Sequence, residues 1–94
     1  MSHPVQHNPA ASRFECALQG ELAQCAYRRD GGTVAFVHTE VPDALAGQGV
    51  AAAMVQQALA WARDEGLKVR PLCSYVASYM RRHPETQDLL EPRA

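Results

Sequence analysis

The chain has little of almost everything that would announce a partner through charge or composition. Among its 94 residues nine Lys and Arg face ten Asp and Glu, for a net charge of −1 with no long run of one sign. That balance lacks the basic footprint of a protein that binds nucleic acid or an anionic membrane. No stretch approaches the roughly 20 continuous apolar residues of a membrane span, and MSHPVQHNPAAS at the N-terminus lacks the apolar core of a secretory signal. A cytoplasmic location is expected. Three cysteines, Cys16, Cys25 and Cys73, are an odd number without CxxC spacing, which argues against both a disulfide framework and a thiolate metal site. Reduced thiols are expected, with Cys16 and Cys25 serving as small buried hydrophobes. What the chain does have is apolar content: 47% of residues are hydrophobic and 20% charged, the composition of a globule with one core.

Residues 1–12 carry two prolines, two histidines and little periodicity, so they read as a flexible leader. His3 and His7 in it are solvated or, alternatively, metal-binding. Residues 13–94 read as one domain. Three short runs with strand character follow one another: RFECAL, ELAQCAYRR and TVAFVHTEV, the last two joined by Asp30-Gly31-Gly32, a strong hairpin signal. After Gly49 the period changes to that of a helix. Val50, Met54, Val55, Ala58, Leu59, Trp61 and Ala62 share one side, with Gln56, Gln57, Arg63 and Asp64 opposite. Gly66 suits the end of that helix.

LKVRPLCSYV then predicts a fourth strand, in which Pro71 favours an edge or a bulge. SYVASYMRRH predicts a helix stopped by Pro84, and PETQDLL a further turn packing Leu89 and Leu90 on the body. The order β-β-β-α-β-α implies a mixed, mainly antiparallel sheet of about four strands, because a strand, a crossover helix and another strand make a parallel pair. The fold class is α/β, of the α+β kind.

The stretch HTEVPDALAGQGVA links the third strand to the long helix. The first turn of a helix holds amide N–H groups without intrahelical partners and a partial positive charge, which together favour a phosphate. Gly47 and Gly49 remove side chains that would block those amides, and Ala51 and Ala52 keep the first turn slim. The alternative is that these glycines serve only the conformation of a tight loop.

GQGVA after a strand resembles the acyl-CoA pyrophosphate loop of the GCN5-related N-acetyltransferases, whose motif is Gln/Arg-x-x-Gly-x-Gly/Ala. Gly49 and Ala51 fill its last two defined places, and Ala46 stands where the family has Gln or Arg. HTEVP, LAGQGVA, PLCSYV and RHPE, in this order, are similar to a minimal single-domain subgroup of that family over about residues 13 to 90. The resemblance implies a V-shaped splay between the two central strands, with the pantetheine of acetyl-CoA entering it. Backbone groups of Thr39, Glu40 and Val41 would bond the pantetheine like an added strand. Gly47, Gln48, Gly49, Val50, Ala51 and Ala52 would hold the pyrophosphate, and Ser74 belongs to the same cofactor-binding set. No metal is implied. The acceptor would be an unidentified amine, at a site left open by so short a chain or completed by a second subunit in a homodimer.

Acetyl transfer needs a deprotonated nucleophile, a stabilised oxyanion and a proton for the departing CoA thiolate. The resemblance puts Tyr79 in the last role, in a helix similar to the family's; the alternative is a core aromatic with its hydroxyl at the surface. Cys73 falls where the strands should diverge, near a helix N-terminus. There a thiolate can accept the acetyl group or form a mixed disulfide with CoA. His38 and Glu40, on one strand face with Phe36, are candidate general bases, or else an ordinary half-buried histidine and a solvated carboxylate. His83 suits a helix-end cap, and Arg81 and Arg82 a solvated face or a contact to the 3′-phosphate. A non-catalytic CoA or acyl-CoA binding module is the rival from a different class.

Overall fold

Phe14 and Cys16, then Ala23, Cys25 and Tyr27, then Val34 and Phe36 stand at alternate positions of three consecutive runs. In a computed structural model, which describes residues 3–92, they join one buried core. Alternation puts them on a single face of the sheet. The strands are β1 (Val5–Asn8), β2 (Arg13–Leu18), β3 (Glu21–Asp30), β4 (Thr33–Glu40) and β5 (Lys68–Pro71), in the spatial order β1-β2-β3-β4-β5. The first four run antiparallel to their neighbours, and β5 joins β4 in parallel. The parallel step follows from the crossover through α1 (Val50–Asp64).

Helix α1 buries Val50, Met54, Val55, Ala58, Leu59 and Ala62, the face its period predicts, while Trp61 is half-buried at the margin. Met54, Val55 and Leu59 each contribute about 1.5–3 kcal/mol by leaving water. Pro71 is the last residue of β5, where its missing N–H costs no further ladder bond. Helix α2 (Ser74–Arg82) adds Val76, Tyr79 and Met80 to the same core. The proline after His83 stops α2, and a 3₁₀ segment, Pro84–Leu89, brings Leu89 back onto the body. Arg63 anchors that segment to α1 through paired bonds to Asp88 at 2.7 and 3.0 Å. Leu90 stays partly exposed and makes a single parallel bridge to Val69. Among the described residues no helix is long and apolar enough to cross a membrane.

The sheet has five strands rather than about four, because part of the expected leader folds. Val5–Asn8 pairs with β2, Val5 opposite Cys16 and His7 opposite Phe14. The reading of residues 1–12 as a flexible leader is therefore corrected for residues 5–8; residues 1 and 2 lie outside those described. The cause is tertiary. His7 stacks on Phe14 at 4.2 Å, meets the edge of Trp61 at 4.8 Å and holds Nε2 at 2.6 Å from the Tyr27 hydroxyl. A period-two signal of two residues between prolines was too short to read as a strand.

Burial in this aromatic cluster lowers the His7 pKa below 6.5, against a smaller opposing effect of Glu65. The unfolded chain then binds the His7 proton more readily than the folded one. Stability is highest above pH 6.5 and falls as pH drops toward the lowered folded value. The melting temperature is expected to decline between pH 7 and 5, and His7→Phe to flatten that decline. Parallel slopes for the two proteins would rule out this origin.

Candidate functional site

Beyond Phe36 the parallel pair comes apart. Thr33 to Phe36 pair with Lys68 to Pro71, and the Cys73 amide donates to the Phe36 carbonyl at 2.8 Å. After that bond the chain turns into α2, while β4 continues along β3 to Glu40. The edge of β4 from Val37 to Glu40 is thus left without a strand partner on the β5 side. This is the expected splay.

A β-bulge sits at its start. His38 pairs with Ala26 and Phe36 with Tyr27, so Val37 is one residue too many on β4. The extra residue reverses the alternation beyond it. Thr39 pairs with Cys25 and takes the core side, whereas His38 and Glu40 go to the opposite, solvated face. The expectation that His38 and Glu40 share a face with Phe36 is corrected by this bulge. On that outer face Glu40 accepts a bond from Gln24 at 3.0 Å.

On the inner side Thr39 joins two cysteines. The Cys73 thiol donates to Thr39 Oγ1 at 3.3 Å, and the Thr39 hydroxyl donates to Cys25 Sγ at 3.7 Å. Their acidities diverge. Burial pushes the Cys25 thiol up to about 11, only partly opposed by Thr39 and reinforced by nearby Cys73. For Cys73 burial also acts against the thiolate, but the Thr39 hydroxyl and the amides of Val76, Tyr75 and Thr39 outweigh it and hold the thiol below its ordinary value. The difference comes from α2: Cys73 is its N-cap, where free amides converge.

The other end of the site is the turn before α1. Pro42 follows β4, a 3₁₀ turn spans Asp43–Leu45, and the Leu45 side chain is fully buried as its anchor. Gly47 and Gly49 then take φ of +80° and +76°, the left-handed region that glycine enters without strain. Among the described residues no backbone carbonyl accepts from the amides of residues 47–52, six in a row. Beside them lies a cavity of about 260 Å³ lined by Gly47, Gly49, Val50, Ala51 and Ala52 from the turn, with Val41 and Tyr75 across from it. Glycine and alanine leave the amides accessible. The residues suit a diphosphate and the start of a pantetheine arm, since a concave wall carries donors, the positive helix end and apolar surface.

Several expected residues stand apart from this cavity. Gln48 turns its side chain away, donating to the Ala44 carbonyl at 3.3 Å and accepting from Gln19 at 3.5 Å. Ser74 is exposed on the first turn of α2, outside the cavity wall. Tyr79 is buried one helical turn beyond Tyr75 and stacks on His83 at 4.0 Å. Burial raises its phenol pKa, aided by Glu85 and Tyr75 and opposed by Arg82, which keeps it a proton donor. Tyr75 was not singled out by sequence; its signal was the i, i+4 spacing with Tyr79 on one helix face. Missed as well was the Thr39 side chain, expected to act through its backbone alone. A larger groove of about 910 Å³ runs between β5, α2 and the C-terminal segment, and of the candidate site residues singled out in the sequence only Arg81 lines it.

Comparison with known proteins gives the family and the fold. The family model described as GCN5-related N-acetyl-transferase matches residues 13–89. Protein NATD1 of Xenopus tropicalis is 34% identical over 88 residues, covering 90% of this chain and 81% of the relative. Protein NATD1 of Homo sapiens is 33% identical over 88 residues, covering 90% and 78%. The solution NMR structure of a GCN5-like protein from Staphylococcus aureus superposes with a TM-score of 0.75 at 26% identity, over 100% of this chain and 94% of that one.

Proposed function

The chain belongs to the GCN5-related N-acetyltransferase family, and on that premise we propose that it binds acetyl-CoA in the 47–52 turn and passes the acetyl group to an amine. The observation that carries the reading is the run of six carbonyl-free amides beside a cavity walled by glycine and alanine. The amides of Gly47 to Ala52 hold the pyrophosphate, as backbone dipoles at a helix start do. The pantetheine lies along the open edge of β4 from Thr39 to Val41, in place of the departed β5. Val41 and Tyr75 flank its entry.

That path leads the thioester toward Cys73 and Thr39 at the apex of the splay. The acceptor amine approaches from the outer face, where Glu40 and His38 stand to take its proton, directly or through water. Tyr79, kept protonated, returns a proton to the leaving CoA thiolate. Calorimetric titration of the protein with acetyl-CoA tests the cofactor reading. A saturable isotherm in the micromolar to millimolar range is expected, and no heat at millimolar ligand would remove it.

A second route is favoured by one observation, the place of Cys73 as the N-cap of α2 with its thiol on the Thr39 hydroxyl at 3.3 Å. In it Cys73 accepts the acetyl group first and the amine takes it second.

A further inference from the structure

The 47–49 turn carries no cationic side chain of its own. Residues 45–52 read LAGQGVAA, and Ala46 contributes nothing beyond Cβ. A diphosphate held by amides alone would keep most of its charge uncompensated.

The fold brings an imidazole to that place from the far end of the chain. His3 Nε2 lies 2.6 Å from the Gln48 carbonyl oxygen and donates to it. The same nitrogen lies 3.8 Å from the point where a Cβ on Gly49 would stand, so the ring covers the glycine that opens α1. The position is held from behind, because the His3 carbonyl accepts from the Val5 amide at 2.8 Å and Val5 begins the strand paired to β2. Gln19, from the β2–β3 turn, reaches the Gln48 side chain and leaves the carbonyl to His3. With Nε2 committed to that carbonyl, Nδ1 is the ring nitrogen left for a second partner, and an imidazole ring can donate through both nitrogens.

Resting on the acetyl-CoA reading, we infer that His3 is the side-chain ligand of the diphosphate, supplying from β1's leading end the side-chain contact that the turn lacks. The imidazole holds the turn through its carbonyl and faces an anion on the adjoining amides. It also gives β1 a purpose beyond closing the sheet edge, since pairing with β2 fixes where residue 3 can reach.

The test compares full-length protein with His3→Ala against two ligands. Acetyl-CoA carries the diphosphate, and S-acetylpantetheine carries the same thioester arm without it. Affinities are read from amide chemical shifts, which follow millimolar binding and also show that the variant is folded. His3→Ala is expected to weaken acetyl-CoA at least fivefold and to leave S-acetylpantetheine unchanged. Equal loss for both ligands would mean that His3 only shapes the turn, and unchanged acetyl-CoA affinity would mean that it does neither; each overturns the inference. Absence of acetyl-CoA binding by the unmodified protein is a separate result, which removes the cofactor reading and this inference with it.

Discussion

Gly49→Asp is expected to weaken acetyl-CoA binding more than tenfold, over about 1.4 kcal/mol. Gly49 is the N-cap of α1 and lines the cavity beside the free amides. A carboxylate there repels a diphosphate and bonds the very amides that would receive it, as acidic caps do. Backbone strain is a competing cause, since φ is +76°. Gly49→Asn separates the two, because Asn and Asp enter the left-handed region about equally well and differ in charge. Calorimetry on both variants is expected to give a much larger loss for Asp. Equal losses would assign the effect to shape, and unchanged affinity for Gly49→Asp would refute the amide cradle.

The second large effect concerns Cys73. If transfer runs through the thiol, incubation with acetyl-CoA should add the mass of one acetyl group to the intact protein, and Cys73→Ala should abolish that addition. The step balances without a further reactant. The Cys73 thiolate forms a bond to the acetyl carbon, the bond from that carbon to the CoA sulfur breaks, and the CoA thiolate takes a proton. An incoming amine then forms the amide and returns the thiol. Cys25 serves as an internal control. It is also buried at the Thr39 hydroxyl, yet its thiol is pushed up to about 11, so Cys25→Ala should leave the adduct in place. Acetylation that survives Cys73→Ala, or none in either protein while amines are acetylated, would leave direct attack as the route.

Thr39 joins two cysteines whose acidities differ because Cys73 alone also stands at the start of α2. Its hydroxyl accepts from the Cys73 thiol and donates to Cys25, and it can turn to stabilise a thiolate at Cys73 because a hydroxyl rotates to suit its partners. The bulge at Val37 makes this contact, for without the extra residue Thr39 would face solvent and His38 the core. One inserted position therefore decides which side chains face the core and which face solvent.

Much of the fold was legible in local pattern. The face of α1 was readable because fifteen residues give its 3.6-residue period several repeats. Three strand runs and the Asp30 hairpin were readable from alternation and turn chemistry, and the glycine turn from its place between a strand and a helix. β1 was not, since its support comes from aromatic contacts with residues up to Trp61 in the sequence. His38 and Glu40 were placed on the wrong face because alternation assumes a regular ladder, and a bulge leaves no mark in residue types.

By itself, then, the sequence determined β2 to β5, the two helices, the core face of α1 and the glycine turn, because each rests on neighbours a few residues apart. Only the tertiary structure decided that β4 and β5 part after Phe36 and that Thr39 joins Cys73 to Cys25. It alone set Tyr75 at the cavity and laid His3 on the Gln48 carbonyl, 45 residues away. Those outcomes depend on strand register and on contacts between distant segments, which local periodicity does not encode.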